Sequence, residues 1–407
     1  MSTRLSHARL SHFLRSPFAG ALLLTRLARD TELAFPSDPP LSHGSGPDPD
    51  RVLLIGGLVV GGAGVASHDL ALGGHLARKL AARTGRGADV ETRSVSKYDV
   101  ATAAALLRAE SMERFDAVMI VIGVRELIQL RPLALWRRDV KGLLGTIAES
   151  VPASVPVLLV GVAPFARDSD VPRFAVRWLE ETVDTYNAVT RELCETSGVA
   201  EYVHFEPGRY GVRSGRDASA VYETWAAALA PPLDEALSRT LPVHRSDDVP
   251  DEEERLRAIA GLGVLDAPPN PRLVQIVQMT RGMLGLNAGL TILDDENVHV
   301  IAVSGASSVP VLPREHTFSD LAISSPGILV VPDALADPLY ADFAEVAGRD
   351  PVRFFAGYPL EAPGGERIGA LCVVDRVPRD FSDDEASLLR DLALRAQAVL
   401  WESAAAS

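Results

Sequence analysis

The sequence predicts two α/β domains in tandem, the first a three-layer arrangement around a parallel sheet and the second built on an antiparallel sheet. Three observations carry this. Apolar strands alternate with amphipathic helices from Val52 to Leu237. A polar, acidic, proline-bearing break, LPVHRSDDVPDEEE, follows at Leu241 to Glu254. Beyond it come two helices, strands with hairpin punctuation and a long closing helix. A chain of 407 residues also exceeds one ordinary core, at about 100–200 residues per domain.

In the first domain the strand runs are Val52 to Ile55, Asp89 to Ser94, Ala117 to Ile122, Pro156 to Val162 and Tyr202 to Phe205. Helical patterns follow them, as in DLALGGHLARKLAART from Asp69 and YETWAAALAPPLDEALSR from Tyr222. Such alternation demands crossover connections, hence parallel strands covered on both faces. Sites in such folds lie beyond the carboxyl ends of the strands. The loops after Ile55, Ile122 and Phe205 are therefore the ones to search.

Residues 1–50 read as an N-terminal amphipathic helix followed by a linker, since Phe35 to Asp50 (FPSDPPLSHGSGPDPD) has no periodicity. The remaining boundaries fall at 51–240 for the first domain, 241–253 for a second linker and 254–407 for the second domain. The apolar run Phe18 to Thr25 is cut by Arg26 and has no small-residue cleavage site, so no signal peptide is expected. No stretch reaches the roughly 18 apolar residues of a membrane span. A net charge of −14 argues against a sequence-independent nucleic-acid binder. Cys194 and Cys372 sit among apolar neighbours and read as buried reduced thiols, which fits a cytoplasmic location.

The first strand ends in a glycine-rich turn, VLLIGGLVVGGAG, Val52 to Gly64. A dinucleotide fingerprint does not fit: Gly62, Gly64 and Ser67 begin seven residues past the strand, and no clear acid ends the second strand. A phosphate loop fails for want of a lysine, since Ala63 and Gly64 follow Gly62. Ser67, His68 and Asp69 are adjacent in sequence and so do not converge as a triad; Ser67 or Asp69 reads as the cap of the first helix. His75 and His204 read as packing or surface residues, with no metal-ligand partner at useful spacing.

With VIGVREL after the third strand and SAVYETWAAAL in the last helix, Val52 to Leu237 resembles the SGNH (GDSL-type) hydrolase family. The resemblance implies a flavodoxin-like parallel sheet and hydrolysis of esters and acyl groups by a serine. It also shows the catalytic set replaced. Gly56, Gly57 and Leu58 stand at Gly-Asp-Ser, Arg125 at the oxyanion asparagine, and Arg213 and Arg216 at the aspartate and histidine of the last loop. Leucine has no atom that attacks a carbonyl, and no general base remains. Three arginines beside the amides of Gly56 and Gly57 suggest an anion or ligand pocket; alternatively they pair with Glu126, Asp217 or Glu223 and fasten loops.

In the second domain, Arg353 to Ala393 contains Arg353, Phe354, Ala356, Gly357, Pro359, Leu360, Gly369, Leu371, Cys372, Asp375, Pro378, Arg379 and Phe381. On these it resembles the bacterial GAF domain, from about Glu254 to Trp401. Independently, Ile368 to Val374 reads as a buried strand joined through PGGE to a strand ending at Leu360, and Ser382 with Glu385 reads as a capping box. Leu388, Leu389, Leu392, Ala396, Val399 and Leu400 line one face of the closing helix. The resemblance implies a six-stranded sheet, a small-molecule pocket against the loop from Gly305 to Asp337, and a homodimer paired through the closing helix. Candidate pocket residues are His316, Ser319, Asp333, Phe355 and Cys372, with Asp333 alternatively the cap of the turn before ALADP, and Ser319 stands where a cysteine is frequent. The sequence thus predicts a non-catalytic sensory or regulatory protein that binds small molecules or a signalling partner, without cofactor or metal. The competing reading is an esterase with displaced residues, regulated by its GAF domain.

Overall fold

A computed structural model describes residues 34–46, 49–95, 97–129, 131–163, 173–206, 216–240, 252–304, 311–325, 327–340, 342–343, 345–347 and 351–405. The N-terminal helix expected within residues 1–33 lies outside the described residues. The chain divides into two compact units, residues 1–44 with 49–243, and residues 45–48 with 244–407.

The first unit is a six-stranded sheet with helices on both faces. Its strands are β1 (Leu41–Gly44), β2 (Asp50–Gly56), β3 (Ala88–Ser94), β4 (Ala117–Val121), β5 (Val157–Val160) and β6 (Glu201–Val203). Its helices are α1 (Leu72–Thr84), α2 (Val100–Ala109), α3 (Val124–Ile128), α4 (Leu133–Ser150), α5 (Arg173–Ser197) and α6 (Arg216–Arg239). The strand order is β1-β3-β2-β4-β5-β6, parallel except for β1. Strand β2 is buried on both sides. Val52 and Leu54 enter one core with α1 and α6, while Leu53 and Ile55 enter the other with α2, α4 and α5. A continuous apolar run is what a doubly covered parallel strand requires.

Two local readings need correction. Leu41–Gly44, read as linker, is a strand paired antiparallel with β3 from Leu41↔Glu91 to Gly44↔Ala88. An edge strand this short, among five prolines between Pro36 and Pro49, carries too little periodicity to show in sequence. Ser67 does cap, accepting from the Asp69 amide at 3.2 Å, but the element it caps is a 3₁₀ turn, His68–Leu70. Helix α1 starts only at Leu72, after Ala71, without a side-chain cap.

The second unit carries β7 (Asn287–Leu293), β8 (Asn297–Val303), β9 (Leu312–Pro313), β10 (Leu329–Val331), β11 (Phe354–Glu361) and β12 (Arg367–Asp375). Helices α7 (Glu252–Leu262), α8 (Pro271–Leu284), α9 (Phe318–Ser324) and α10 (Asp383–Ala405) flank it. The sheet is antiparallel, ordered β10-β11-β12-β7-β8-β9. The capping box forms, with the Ser382 amide donating to Glu385 at 2.9 Å and the Glu385 amide to Ser382 Oγ at 3.3 Å. The apolar face of α10 is spent inside this unit: Leu389, Leu392, Ala396, Val399 and Leu400 are buried in its own core.

Candidate functional site

Beyond β2 the chain winds into a turn from Gly57 to Gly64. The Gly61 amide donates to the Gly57 carbonyl at 3.0 Å and the Ala63 amide to that of Leu58 at 3.0 Å. Gly62 sits at φ 81°, and a Cβ there would lie 2.7 Å from Pro36 Cγ. The glycine requirement is thus conformational and steric. Gly64 donates to the Ala34 carbonyl at 2.8 Å, and Tyr222 of α6 donates its hydroxyl to the Ala63 carbonyl at 2.7 Å. The turn is held from one side by residues 34–36 and from the other by α6.

Leu58 is 46% exposed at the crest of the turn. Gly57 rests on Tyr98, whose Cβ would be 3.4 Å from an added Cβ. Arg125, on α3, is half-buried and close enough to Asp99 to help hold that carboxyl below its usual value. Burial works against that lowering; hydrogen bonds from the Thr102 amide and hydroxyl work for it. Of the other two arginines, Arg213 lies outside the described residues, and of Arg216 only the main chain, at the start of α6, lies within them. Gly56, Gly57, Leu58 and Arg125 therefore occupy one end of the sheet.

The expected tie between Arg125 and Glu126 does not form. Glu126 turns inward, 3% exposed, where Oε1 accepts the Val100 amide at 2.9 Å and Oε2 has no hydrogen-bond partner. Burial pushes its carboxyl pKa up. The Tyr98 hydroxyl is also buried without a partner, and burial together with the Glu126 charge raises its pKa well above 10. Glu223 pairs with Lys79, at 3.3 Å.

The hydroxyl–imidazole contacts among the described residues do not assemble a nucleophile. Asp38 gathers the Ser67 hydroxyl at 2.9 Å and His68 Nδ1 at 3.0 Å, so Ser67 donates to a carboxylate and not to an imidazole. His75 Nε2 lies 2.9 Å from Ser219 Oγ, but Arg78 Nη2 faces its Nδ1 at 3.2 Å. Because a guanidinium only donates, Nδ1 accepts and Nε2 carries the proton. That tautomer cannot take a proton from Ser219. Burial and then Arg78 also lower the His75 pKa. The pair belongs to a polar seam between α1 and α6 that continues through Lys79–Glu223 and Arg83–Asp234. Among the described residues no group of three His, Cys, Asp or Glu side chains could hold a metal ion.

In the second unit, Ser319, Phe355 and Cys372 come together in a buried cluster between α9 and the sheet. Phe318 fills it, stacked on Phe355 at 4.9 Å and packed against Phe343 at 5.1 Å and Tyr340 at 5.4 Å. Four aromatic rings thus pack together where α9 meets the sheet. Cys372 donates to the Gly289 carbonyl at 3.3 Å, and burial pushes its thiol pKa up to about 12, so it is no nucleophile. His316 lies exposed at the rim, stacked on Phe343 at 6.1 Å, with φ 57°. Asp333 does not join the cluster: it caps the turn at Leu335 and binds Arg353 at 2.5 Å. Sequence reasoning missed Glu345, whose Oε1 accepts the Phe318 amide at 3.3 Å while Oε2 is buried without a partner.

The first unit is an α/β domain on a mostly parallel sheet, and the second an α/β domain on an antiparallel sheet. Comparison with known proteins gives the families. Residues 58–232 match the model of the GDSL-like Lipase/Acylhydrolase family, and residues 269–400 match that of the GAF domain. The chain joins a GDSL-like domain to a GAF domain. A cyclic di-GMP phosphodiesterase of Pseudomonas aeruginosa is 30% identical over 129 residues, which is 32% of this chain and 22% of that protein. The chain therefore spans about a fifth of the length of this curated relative. A crystal structure of TesA is 16% identical and covers 46% of this chain and 99% of its own, with a TM-score of 0.35. The GAF domain of an Acinetobacter phosphoenolpyruvate-protein phosphotransferase is 17% identical, covering 38% and 96%, with a TM-score of 0.29. Among the described residues, no helix is long and apolar enough to cross a membrane.

Proposed function

We propose that this chain is a non-catalytic sensory or regulatory protein of the cytoplasm, in which the GDSL-like domain binds without hydrolysing and the GAF domain takes a small molecule. The observation that carries this is Leu58, exposed where a serine would stand, with Arg125 at the oxyanion position. An acyl transfer needs a nucleophile, a base and donors to the developing oxyanion, and arginines at the motif positions supply neither of the first two. What Arg125 and the turn amides suit is an anion. The relative described as a cyclic di-GMP phosphodiesterase supports a place in signalling. In the GAF domain a ligand would displace Phe318 or Phe343 and meet Thr291, Ser319 and the free oxygen of Glu345, which favours one that donates hydrogen bonds.

The test treats the full chain with a fluorophosphonate probe and p-nitrophenyl esters, and titrates it calorimetrically with inorganic phosphate. The expected result is no labelling, no turnover, and phosphate binding that Arg125→Ala abolishes. Labelling that disappears in Ser67→Ala or Ser219→Ala would restore the competing reading of a displaced-site esterase.

A further inference from the structure

In the second unit the first turn of α9 is closed through Arg314. Thr317 caps the helix, its Oγ1 accepting the Asp320 amide at 3.3 Å, and the same hydroxyl donates to the Arg314 carbonyl at 2.9 Å. The Arg314 side chain comes back to the helix, with Nε donating to Asp320 at 2.7 Å. Residues 314–320 are therefore closed on themselves by hydrogen bonds, and Phe318, fully buried in the aromatic cluster, is their apolar anchor. A displacement of Phe318 is a displacement of Arg314.

The same guanidinium also reaches away from α9. Its Nη1 donates to Glu252 at 2.5 Å and to the Asp294 carbonyl at 3.1 Å. Glu252 stands at the head of α7, the first described element after residues 241–251. Its carboxylate is held as well by Arg255, which is fully buried and donates to the carbonyls of Leu293 and Asp294. Arg255 is thereby fixed to the β7–β8 turn and cannot follow α9. Arg314 is half-buried between two carboxylates, one on each helix, so a shift of α9 takes it from Glu252 or from Asp320. A charge-assisted contact of this kind, set in packed surroundings, has two arrangements, made and broken, and does not stretch continuously.

We propose that the Asp320–Arg314–Glu252 bridge is a latch between the aromatic cluster and the head of α7: displacement of Phe318 draws Arg314 from Glu252 and loosens the first turn of α7. The loosened element is the one by which the chain enters this domain, so a molecule that takes the place of Phe318 is read out next to the segment joining the two domains. The inference rests on the reading that a small molecule enters at Phe318, but the coupling is measured without one. A chain that binds no ligand can therefore still show the latch, and ligand binding with α7 unmoved sinks the latch alone.

Hydrogen exchange of the full chain at pH 7, followed by mass spectrometry, tests it. The exchange of α7 and α9 is read relative to β12, a central strand whose amides report unfolding of the whole domain. Because coupling is reciprocal, both directions should respond, each by about tenfold. Phe318→Leu, which keeps most of the apolar volume, should speed exchange in α7, and Glu252→Gln should speed it in α9. In an Arg314→Leu background the link is cut, and adding Phe318→Leu should leave α7 unchanged. A Glu252→Gln variant whose α9 exchanges no faster than wild type, relative to β12, overturns the latch, and this arm suffices should Phe318→Leu fail to fold. An effect of Phe318→Leu on α7 that survives Arg314→Leu overturns it too, since the coupling would then lie in general packing.

Discussion

The Tyr222 hydroxyl donates a hydrogen bond of 2.7 Å to the Ala63 carbonyl, and through it α6 holds the glycine turn from 159 residues away in the chain. Both groups are buried. Tyr222 packs edge-on to Trp225 at 6.4 Å, and burial raises its phenol pKa further above 10. The turn is held by such backbone and packing contacts, none of which requires a catalytic residue at its crest.

Tyr222→Phe should therefore lower the stability of the first unit by about 1–2 kcal/mol, since a buried carbonyl loses its partner while the ring remains. Urea denaturation followed by tryptophan fluorescence measures this, as Trp225 lies in the same core. A change confined to surface solvation would leave the midpoint within about 0.5 kcal/mol of wild type.

Glu126 gives a pH prediction with a definite sign. Its folded pKa is raised by burial, so the folded state holds a proton that the unfolded chain releases near its ordinary value of about 4.3. Stability from this group is complete below that value and is lost as pH rises through it toward the folded pKa. Glu126→Gln keeps an oxygen to accept the Val100 amide and removes the titration. The stability difference between variant and wild type should shift in favour of the variant as pH rises from 4 to 8, measured by urea denaturation at fixed ionic strength.

Much of this was legible in sequence because period and punctuation are local. The doubly covered β2, the β11–β12 hairpin and the Ser382–Glu385 box each depend on residues within a few positions of one another. What sequence did not reveal is set by distant partners. Strand β1 exists because β3 offers it an edge, and Asp38 organises Ser67 and His68 across 29 and 30 residues. Nothing local signals that Glu126, beside Arg125 in sequence, turns inward to Val100. Likewise nothing local signals that Phe318 packs on Phe343 and Phe355.

Phe318 accordingly offers a test of whether that volume can take a ligand. Phe318→Ala should destabilise the GAF domain by about 3–5 kcal/mol, through lost burial and the cavity left behind. Because the space is lined by Phe343, Phe355 and Ala370, benzene or indole should recover part of the loss in thermal denaturation of the variant and leave the wild type unchanged. Recovery of neither would mean that the surrounding side chains collapse into the space.

Glu252 gives the opposite pH sign in the second unit. Side-chain hydrogen bonds from Arg255, and then from Arg314, hold its carboxyl down at about 2. Arg255 is fully buried, donating to Glu252 at 2.6 and 2.9 Å, to the Asp294 carbonyl at 2.9 Å and to the Leu293 carbonyl. Arg314 joins the same carboxylate at 2.5 Å and reaches Asp320 at 2.7 Å, so one anion fastens α7 to the β7–β8 turn and to α9. A depressed folded pKa contributes stability above the unfolded value of about 4.3, and that contribution is lost as pH falls through it toward 2. Glu252→Gln should cost about 1–3 kcal/mol at pH 7, discounted from a fully buried pair because the carboxylate is part-exposed. It should also flatten the acid limb, so that wild type and variant converge as pH approaches 2. Guanidinium denaturation of the full chain at pH 7, 4 and 3 reads both effects, and a constant gap across that range would place the energy in packing instead of charge.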